Sequence, residues 1–330
     1  MCFRKKKVAP KSQYDKMDKE YLELFKKEQE MERARIAEEV KRLNEEYRAK
    51  QIIEEELRKE EEEIQQAILF SSSVFDYKKV DGGYSVTLND KKFLKLKLKR
   101  LIVPDNYKGV PVVNIDKMGV NSYEHIKHVT IPKSIVSVNE GAFTWCEGLE
   151  SVHYLGTIDE WAQINFGDAG ANPLRRHGHL YVDGERVNWA TLKTATKISN
   201  YAFINGFMGG ITMPNGLTSI GDGAFKFFKG RVDLPATVTS IGEEAFSYAT
   251  IDTSVYKKSL SLPEKLKYIG ANAFKGSELK EVYFFDRYNW WIKDKSGKNE
   301  IKLNSGDLAN PATATKYLTE TYANKIWFKK

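Results

Sequence analysis

A repeat with fixed internal offsets constrains this chain more than any other feature of its sequence. Ala-Phe occurs five times, at Ala142-Phe143, Ala202-Phe203, Ala224-Phe225, Ala245-Phe246 and Ala273-Phe274. Five residues before each phenylalanine stands a β-branched aliphatic: Val138, Ile198, Ile220, Ile241 and Ile269. Six residues before four of these comes a proline, at Pro132, Pro214, Pro235 and Pro263. The last four phenylalanines lie 22, 21 and 28 residues apart, which leaves room for one short strand and one tight turn per unit. A unit this short cannot bury its apolar face alone. The units must therefore stack, and the ends of the stack need caps.

Each part of the unit has a physical reading. Val129 and Ile131, Ile211 and Met213, Val232 and Leu234, and Leu260 and Leu262 alternate with period two ahead of their prolines, as inward residues of short strands do. Proline ends the strand because it has no N–H for the ladder. Gly221, Gly242 and Gly270 directly follow the second aliphatic and predict turns with positive φ. Ala-Phe then fills the interior, a small residue making room for a ring that stacks on the ring of the next unit. The predicted core is thus Phe143, Phe203, Phe225, Phe246 and Phe274 with Ile198, Ile220, Ile241 and Ile269.

The segments SIGDGAFKFF, SIGEEAFSYA and YIGANAFKGS resemble the I-G-x-x-A-F core of the BspA-like leucine-rich repeats. LIVPDNYKGVPVVNI, Leu101 to Ile115, is similar to that family's opening repeat, with Val120 where phenylalanine is usual. The block Leu155 to Trp161, with Asn172-Pro173 and His179 to Glu185, resembles an insertion common in such proteins. The resemblance spans roughly residues 75–330. It implies a right-handed leucine-rich-repeat β-solenoid of short parallel strands with few short helices. It further implies an adhesion-like surface or secreted protein that binds other proteins.

Within the insertion, about residues 155–190, Ile158 to Ile164 has helical apolar spacing, and Asp183-Gly184 between two short apolar runs predicts a two-residue hairpin. Residues 295–330 predict a C-terminal cap of a loop, one short helix, and Trp327 and Phe328 tucked onto the last coil. Tyr288, Trp290 and Trp291 form the main aromatic concentration and fit the same capping role better than sugar binding.

Ahead of the repeats, residues 14–70 contain neither proline nor glycine and are dominated by strong helix formers. Opposite charges four apart, such as Glu38 and Arg42, support an exposed helix. Ile36, Val40, Leu43 and Tyr47 trace a heptad seam, which continues through Lys50, Glu54, Leu57, Glu61, Ile64 and Ile68. So polar a seam predicts a weak coiled coil or a single helical arm. Residues 1–13 form a basic terminus with Arg4, Lys5, Lys6, Lys7 and Lys11. The expected organisation is therefore terminus 1–13, helix 14–70 and repeat domain 71–330.

Bulk composition excludes several classes. Hydrophobic residues make up 41% of the 330 positions, enough for a large core. A net charge of +7, from 52 basic against 45 acidic residues, is too mild for a nucleic-acid partner. Two cysteines, Cys2 and Cys146, make no disulfide framework. No apolar run approaches a membrane span. MCFRKKKVAP has no apolar stretch after its charges, so a cytoplasmic location is expected. Cys2 beside lysines has the pattern of an acylation site, with a solvated terminus as the plainer reading.

No catalytic constellation emerges, and neither metal nor cofactor is expected. His177 and His179 lie two apart without a third ligand nearby. Asp159 and Glu160 are adjacent and so diverge. Asp222, Glu243 and Glu244 recur at equivalent positions as solvated turn residues. Gly216 to Gly221 has Walker-like spacing, but Asp222 stands where lysine is required. Cys146 follows a core phenylalanine and predicts a buried thiol.

The candidate partner-binding surface is the outward face of the repeat strands: His128, Thr130, Ser151, His153, Gly210, Thr212, Arg231, Asp233, Ser259, Ser261, Glu281 and Tyr283. Polar and mixed in sign, it suits a protein ligand or a glycan better than a polyanion. The expected function is a non-catalytic protein-binding module presented on a helical arm. The rival is an intracellular or phage assembly scaffold, homo-oligomeric through the helix.

Overall fold

The computed structural model describes residues 11–117, 125–144, 146–176, 178–253 and 258–330. Cys2, Val120 and His177 lie outside them. The chain divides into two compact units, Met1–Glu62 and Glu63–Lys330.

One helix, α1, runs Lys11–Phe70. Charge pairs along its exposed surface follow helical spacing: Arg58 lies 2.8 Å from Glu55 and 2.5 Å from Glu62, and Arg42 faces Glu46 at 3.7 Å. Exposed pairs of this kind are screened by solvent and contribute little to stability. Ile36, Val40, Leu43 and Tyr47 are 50–64% exposed. No helix among the described residues is long and apolar enough to cross a membrane.

The second unit is built of short, mostly parallel strands. One sheet runs in the order Arg100–Ile102, His128–Ile131, Ser151–Tyr154, His179–Val182, closed by the antiparallel hairpin strand Glu185–Arg186. A second begins at Trp189–Thr191 and continues through Phe207–Thr212, Lys229–Val232 and Thr250–Asp252. In a third sheet, Lys197–Ile198, Ser219–Ile220, Ser240–Ile241 and Tyr268–Ile269 pair in parallel, one two-residue strand per coil. Ser259–Leu262 and Glu281–Phe284 form a final pair.

Stacking of the Ala-Phe turns holds the coils together. Phe203, Phe225, Phe246 and Phe274 are fully buried, with successive ring centroids 5.6, 5.1 and 5.3 Å apart and planes within 5–11° of parallel. The backbone repeats with them: Phe203 N–H donates to Ala224 O, Phe225 N–H to Ala245 O and Phe246 N–H to Ala273 O. Phe143 is buried but stands outside this stack; its N–H reaches Gly170 O instead. The insertion supplies the intervening coil: Asn165–Phe166 pairs with Ser137–Val138, and Trp161, fully buried, donates its indole N–H to Ala202 O at 2.9 Å.

Gly221, Gly242 and Gly270 do not adopt the positive φ expected of them. Their requirement is lateral. A Cβ on Gly242 would lie 2.4–2.6 Å from atoms of Gly221 and Asp222 in the preceding coil, and one on Gly270 2.4 Å from Glu243 N. Where the backbones of successive coils approach this closely, only glycine fits. Positive φ falls elsewhere, at Tyr201, Phe227 and Tyr248 within the turns and at Asp183-Gly184 in the hairpin. Asp222 is more than a solvated turn residue. Asn200 Oδ1 accepts Asp222 N–H, and Asp222 Oδ1 accepts Glu243 N–H, a side-chain ladder from coil to coil. Glu244 pairs with Lys226 at 2.5 Å.

The C-terminal cap contains three consecutive helical turns rather than one: Ser305–Ala309, Pro311–Lys316 and the π-turn Tyr317–Thr321. The strand Ile326–Lys329 then pairs antiparallel with both Tyr268–Ile269 and Trp290–Lys293. Period-two alternation sends Trp327 into the core and Phe328 to the opposite face, under Lys293 at 4.6 Å. Both cannot be tucked in. Trp290 is buried beside Trp327, whereas Tyr288 is exposed.

Candidate partner-binding face

Parallel register arranges the outward side chains in rows. Arg100, His128, Ser151 and His179 stand opposite one another, and so do Ile102, Thr130, His153 and Tyr181. Between these rows Leu101, Val129, Val152 and Leu180 point into the core and are buried. Ser151 departs from the expected exposure at 6%. Its Oγ lies 2.8 Å from both His128 Nδ1 and His153 Nε2, so two imidazoles roof it. One hydroxyl has one proton to give, so at least one of these rings is the donor.

His153 stacks on Tyr181 at 4.7 Å with 16° between planes. Tyr181 escaped the sequence prediction because its strand reads as one arm of a hairpin; the same strand also adds in parallel to Ser151–Tyr154. His179 Nδ1 lies 3.0 Å from Arg186. Burial first, and the guanidinium second, hold His179 below the usual imidazole range. Among the described residues no group of three His, Cys, Asp or Glu side chains is placed to hold a metal ion.

The second half of the face is centred on Trp189, also absent from the predicted set. It is 44% exposed, donates Nε1–H to Thr212 Oγ1 at 2.9 Å, and lies 5.7 Å from the Arg231 guanidinium. Gly210 makes this seat: a Cβ there would lie 2.8 Å from both Trp189 Cη2 and Arg231 Cβ. Its only local signal is a glycine where a strand should carry a side chain.

Farther along, Asp233, Ser261, Tyr283 and Phe285 surround a cleft of about 320 Å³. Register sets Ser259 opposite Glu281 and Ser261 opposite Tyr283, with Tyr283 OH donating to Glu281 Oε2 at 2.7 Å. Ser259 also departs from the expected exposure, at 3%, as does the buried Gly210. Phe285, just past the strand, is 72% exposed.

The groups considered for catalysis have structural duties. Glu160 closes a capping box with Thr157. Asp159 accepts backbone N–H groups from Lys193, Thr194 and Ala195 at 2.8–3.0 Å. Burial alone would raise its pKa; these hydrogen bonds outweigh burial and hold it below the ordinary carboxylate value. A depressed folded-state pKa means this stabilisation is present above the ordinary carboxylate range and is lost as pH falls through the folded value. Asp159→Ala should therefore cost ~1–2 kcal/mol at pH 7 in a urea titration, with the gap to wild type closing as pH falls below the ordinary carboxylate range.

Cys146 is 5% exposed, and burial pushes its thiol up to about 12. In a Cys2→Ser background the folded chain should resist iodoacetamide at pH 8 and react once denatured. Rapid alkylation of the folded protein would contradict this burial.

No curated protein sequence matches the chain. Among solved structures it is similar to a T. pallidum leucine-rich repeat protein at 17% identity, covering 64% of this chain and 69% of that one, with a TM-score of 0.26. It is also similar to the pneumococcal vaccine antigen PcpA, at 15% identity over 62% and 63% of the two chains, TM-score 0.34. A third, from Bacteroides ovatus, is 17% identical over 64% and 69%, TM-score 0.25. The BspA-type leucine-rich repeat region matches in 6 copies, over residues 84–169 and 196–303. The gap between the two stretches falls on the hairpin and the start of the second sheet, where the strand Trp189–Thr191 begins a new parallel array. With repeat matches over most of its length and the stacked coils to account for them, this chain belongs to the BspA-type leucine-rich repeat family.

Proposed function

We propose that this chain is a non-catalytic protein-binding module whose ligand lies across the outward sheet face. The reading takes the parallel coils as turns of one right-handed solenoid, interrupted at the insertion. The observation that carries it is the set of aromatic side chains supported by polar neighbours on successive parallel sheets. Tyr181 is backed by His153, Trp189 by Thr212 and Arg231, and Tyr283 and Phe285 flank a cleft. Aromatic and arginine side chains held in place supply most of the affinity at protein interfaces. Glycan binding uses similar platforms and is the narrower variant. Catalysis has no support in the geometry, because the candidate carboxylates and the thiol are committed to structure.

Peptides selected from a displayed library on the full chain test this. Their affinity should fall at least about tenfold on Trp189→Ala, Arg231→Ala and Tyr283→Ala, with circular dichroism unchanged. Peptides indifferent to all three would move the binding site elsewhere.

A second reading, an assembly scaffold joined through α1, is favoured by the exposed apolar residues Ile36, Val40, Leu43 and Tyr47. Light scattering on the full chain distinguishes a multimer from a monomer.

A further inference from the structure

We propose that α1 pairs with α1 of a second copy of this chain, antiparallel and centred on Ile52. This rests on the assembly reading and commits it to one geometry. The seam residues from Ile36 to Tyr47, and again Leu57 and Ile68, are half or more exposed on the described helix. Such a stripe is a partner-helix surface.

Charge along the seam selects the orientation. A parallel, in-register pair sets Lys50 on Lys50, Glu54 on Glu54 and Glu61 on Glu61. Those like-charge layers lie in the seam, where they cost most. An antiparallel pair about Ile52 sets Lys50 against Glu54 of the other copy, twice by symmetry. The apolar residues match as well: Ile36 meets Ile68, Val40 meets Ile64 and Tyr47 meets Leu57. Leu43 faces Glu61, whose carboxylate reaches the solvent rim. Ile53, 56% exposed and off the seam, meets its own counterpart beside the two-fold axis. On the rim Glu46 faces Glu60, and Arg42, 3.7 Å from Glu46 on the same helix, offsets that repulsion.

The limits of the seam carry the same symmetry. Ile36 and Ile68 are equidistant from Ile52, polar Arg33 ends the stripe on one side, and α1 ends at Phe70 on the other. Only antiparallel self-pairing makes use of that balance. It would hold the two Phe70 ends roughly 54 Å apart at ~1.5 Å per residue, presenting two binding units to one ligand surface or to two.

The test uses the full chain with Cys2→Ser and Lys41→Cys carrying a spin label; Lys41 is exposed and off the seam. An inter-label distance of roughly 33 Å is expected from ~1.5 Å per residue; one under about 20 Å means a parallel pair and overturns the proposal. Sedimentation of Ile53→Glu, which leaves the seam intact, should show the dimer at least about tenfold weaker, because two carboxylates then meet at the axis. In a parallel pair that residue would instead face Arg58, so unchanged or tighter dimerisation also overturns it. A wild-type chain that is monomeric at every concentration overturns the assembly reading with it, whereas a parallel dimer overturns this geometry alone.

Discussion

Phe225→Ala is expected to destabilise the protein by ~3–5 kcal/mol, the largest loss of any single truncation considered. Phe225 is fully buried, stacks on Phe203 at 5.6 Å and on Phe246 at 5.1 Å, and meets Phe228 edge-on at 5.2 Å. Its removal opens a hole in the middle of a one-dimensional stack. The coils on either side lose a shared neighbour at the same time, and in repeat proteins stability is largely a sum of such neighbour contacts. A loss of this size is a large share of the ~5–15 kcal/mol that ordinary domains possess. Phe227→Ala is the control. That ring sits two residues on in the same turn, is 45% exposed, stacks on Tyr248 and lies under the Lys226 ammonium at 5.7 Å, so its loss should cost less than about 1 kcal/mol. Guanidinium titrations of both variants decide the matter; equal losses would mean that the interior ring stack does not dominate the stability of these coils.

Gly242→Ala should cost ~1–3 kcal/mol, and Gly242→Val more. The penalty is steric and lies between coils, because φ at this position is not positive and alanine meets no local strain. The added carbon would press on Asp222 N and Gly221 C, both within 2.6 Å, and backbone cannot swing aside as a side-chain tip can. Gly216→Ala separates this cause from general glycine effects, since nothing lies within 4 Å of a Cβ there. Thermal melts should show Gly242→Ala well below wild type and Gly216→Ala close to it. A similar drop in both would mean that crowding between coils is not the cause, since the backbone-entropy effect of Gly→Ala is stabilising where φ suits alanine.

The repeated offsets announce the strands, the inward aliphatics and the stacked rings, because every coil solves the same packing problem with the same residues. Glycine after the second aliphatic is equally visible, but its cause is not: a tight turn and a close neighbouring backbone leave the same mark in sequence. The binding face was legible in its alternation and less so in its chemistry. Reading outward positions gives His128, Thr130, His153 and Thr212, yet it misses Tyr181 and Trp189, whose strands lie in and just after the insertion.

What the sequence determined by itself is the repeat: its period, its core residues, its family and the long charged helix before it. These depend on neighbours along the chain or on positions one period apart, and periodicity records both. Only the tertiary structure decided which outward residues remain accessible. Ser151 is buried because imidazoles from its own strand and the strand beside it close over it, and the Trp189 ring lies across the next strand because Gly210 there has no side chain in its way. Such contacts join unlike residues at unrepeated positions, so no pattern along the chain encodes them.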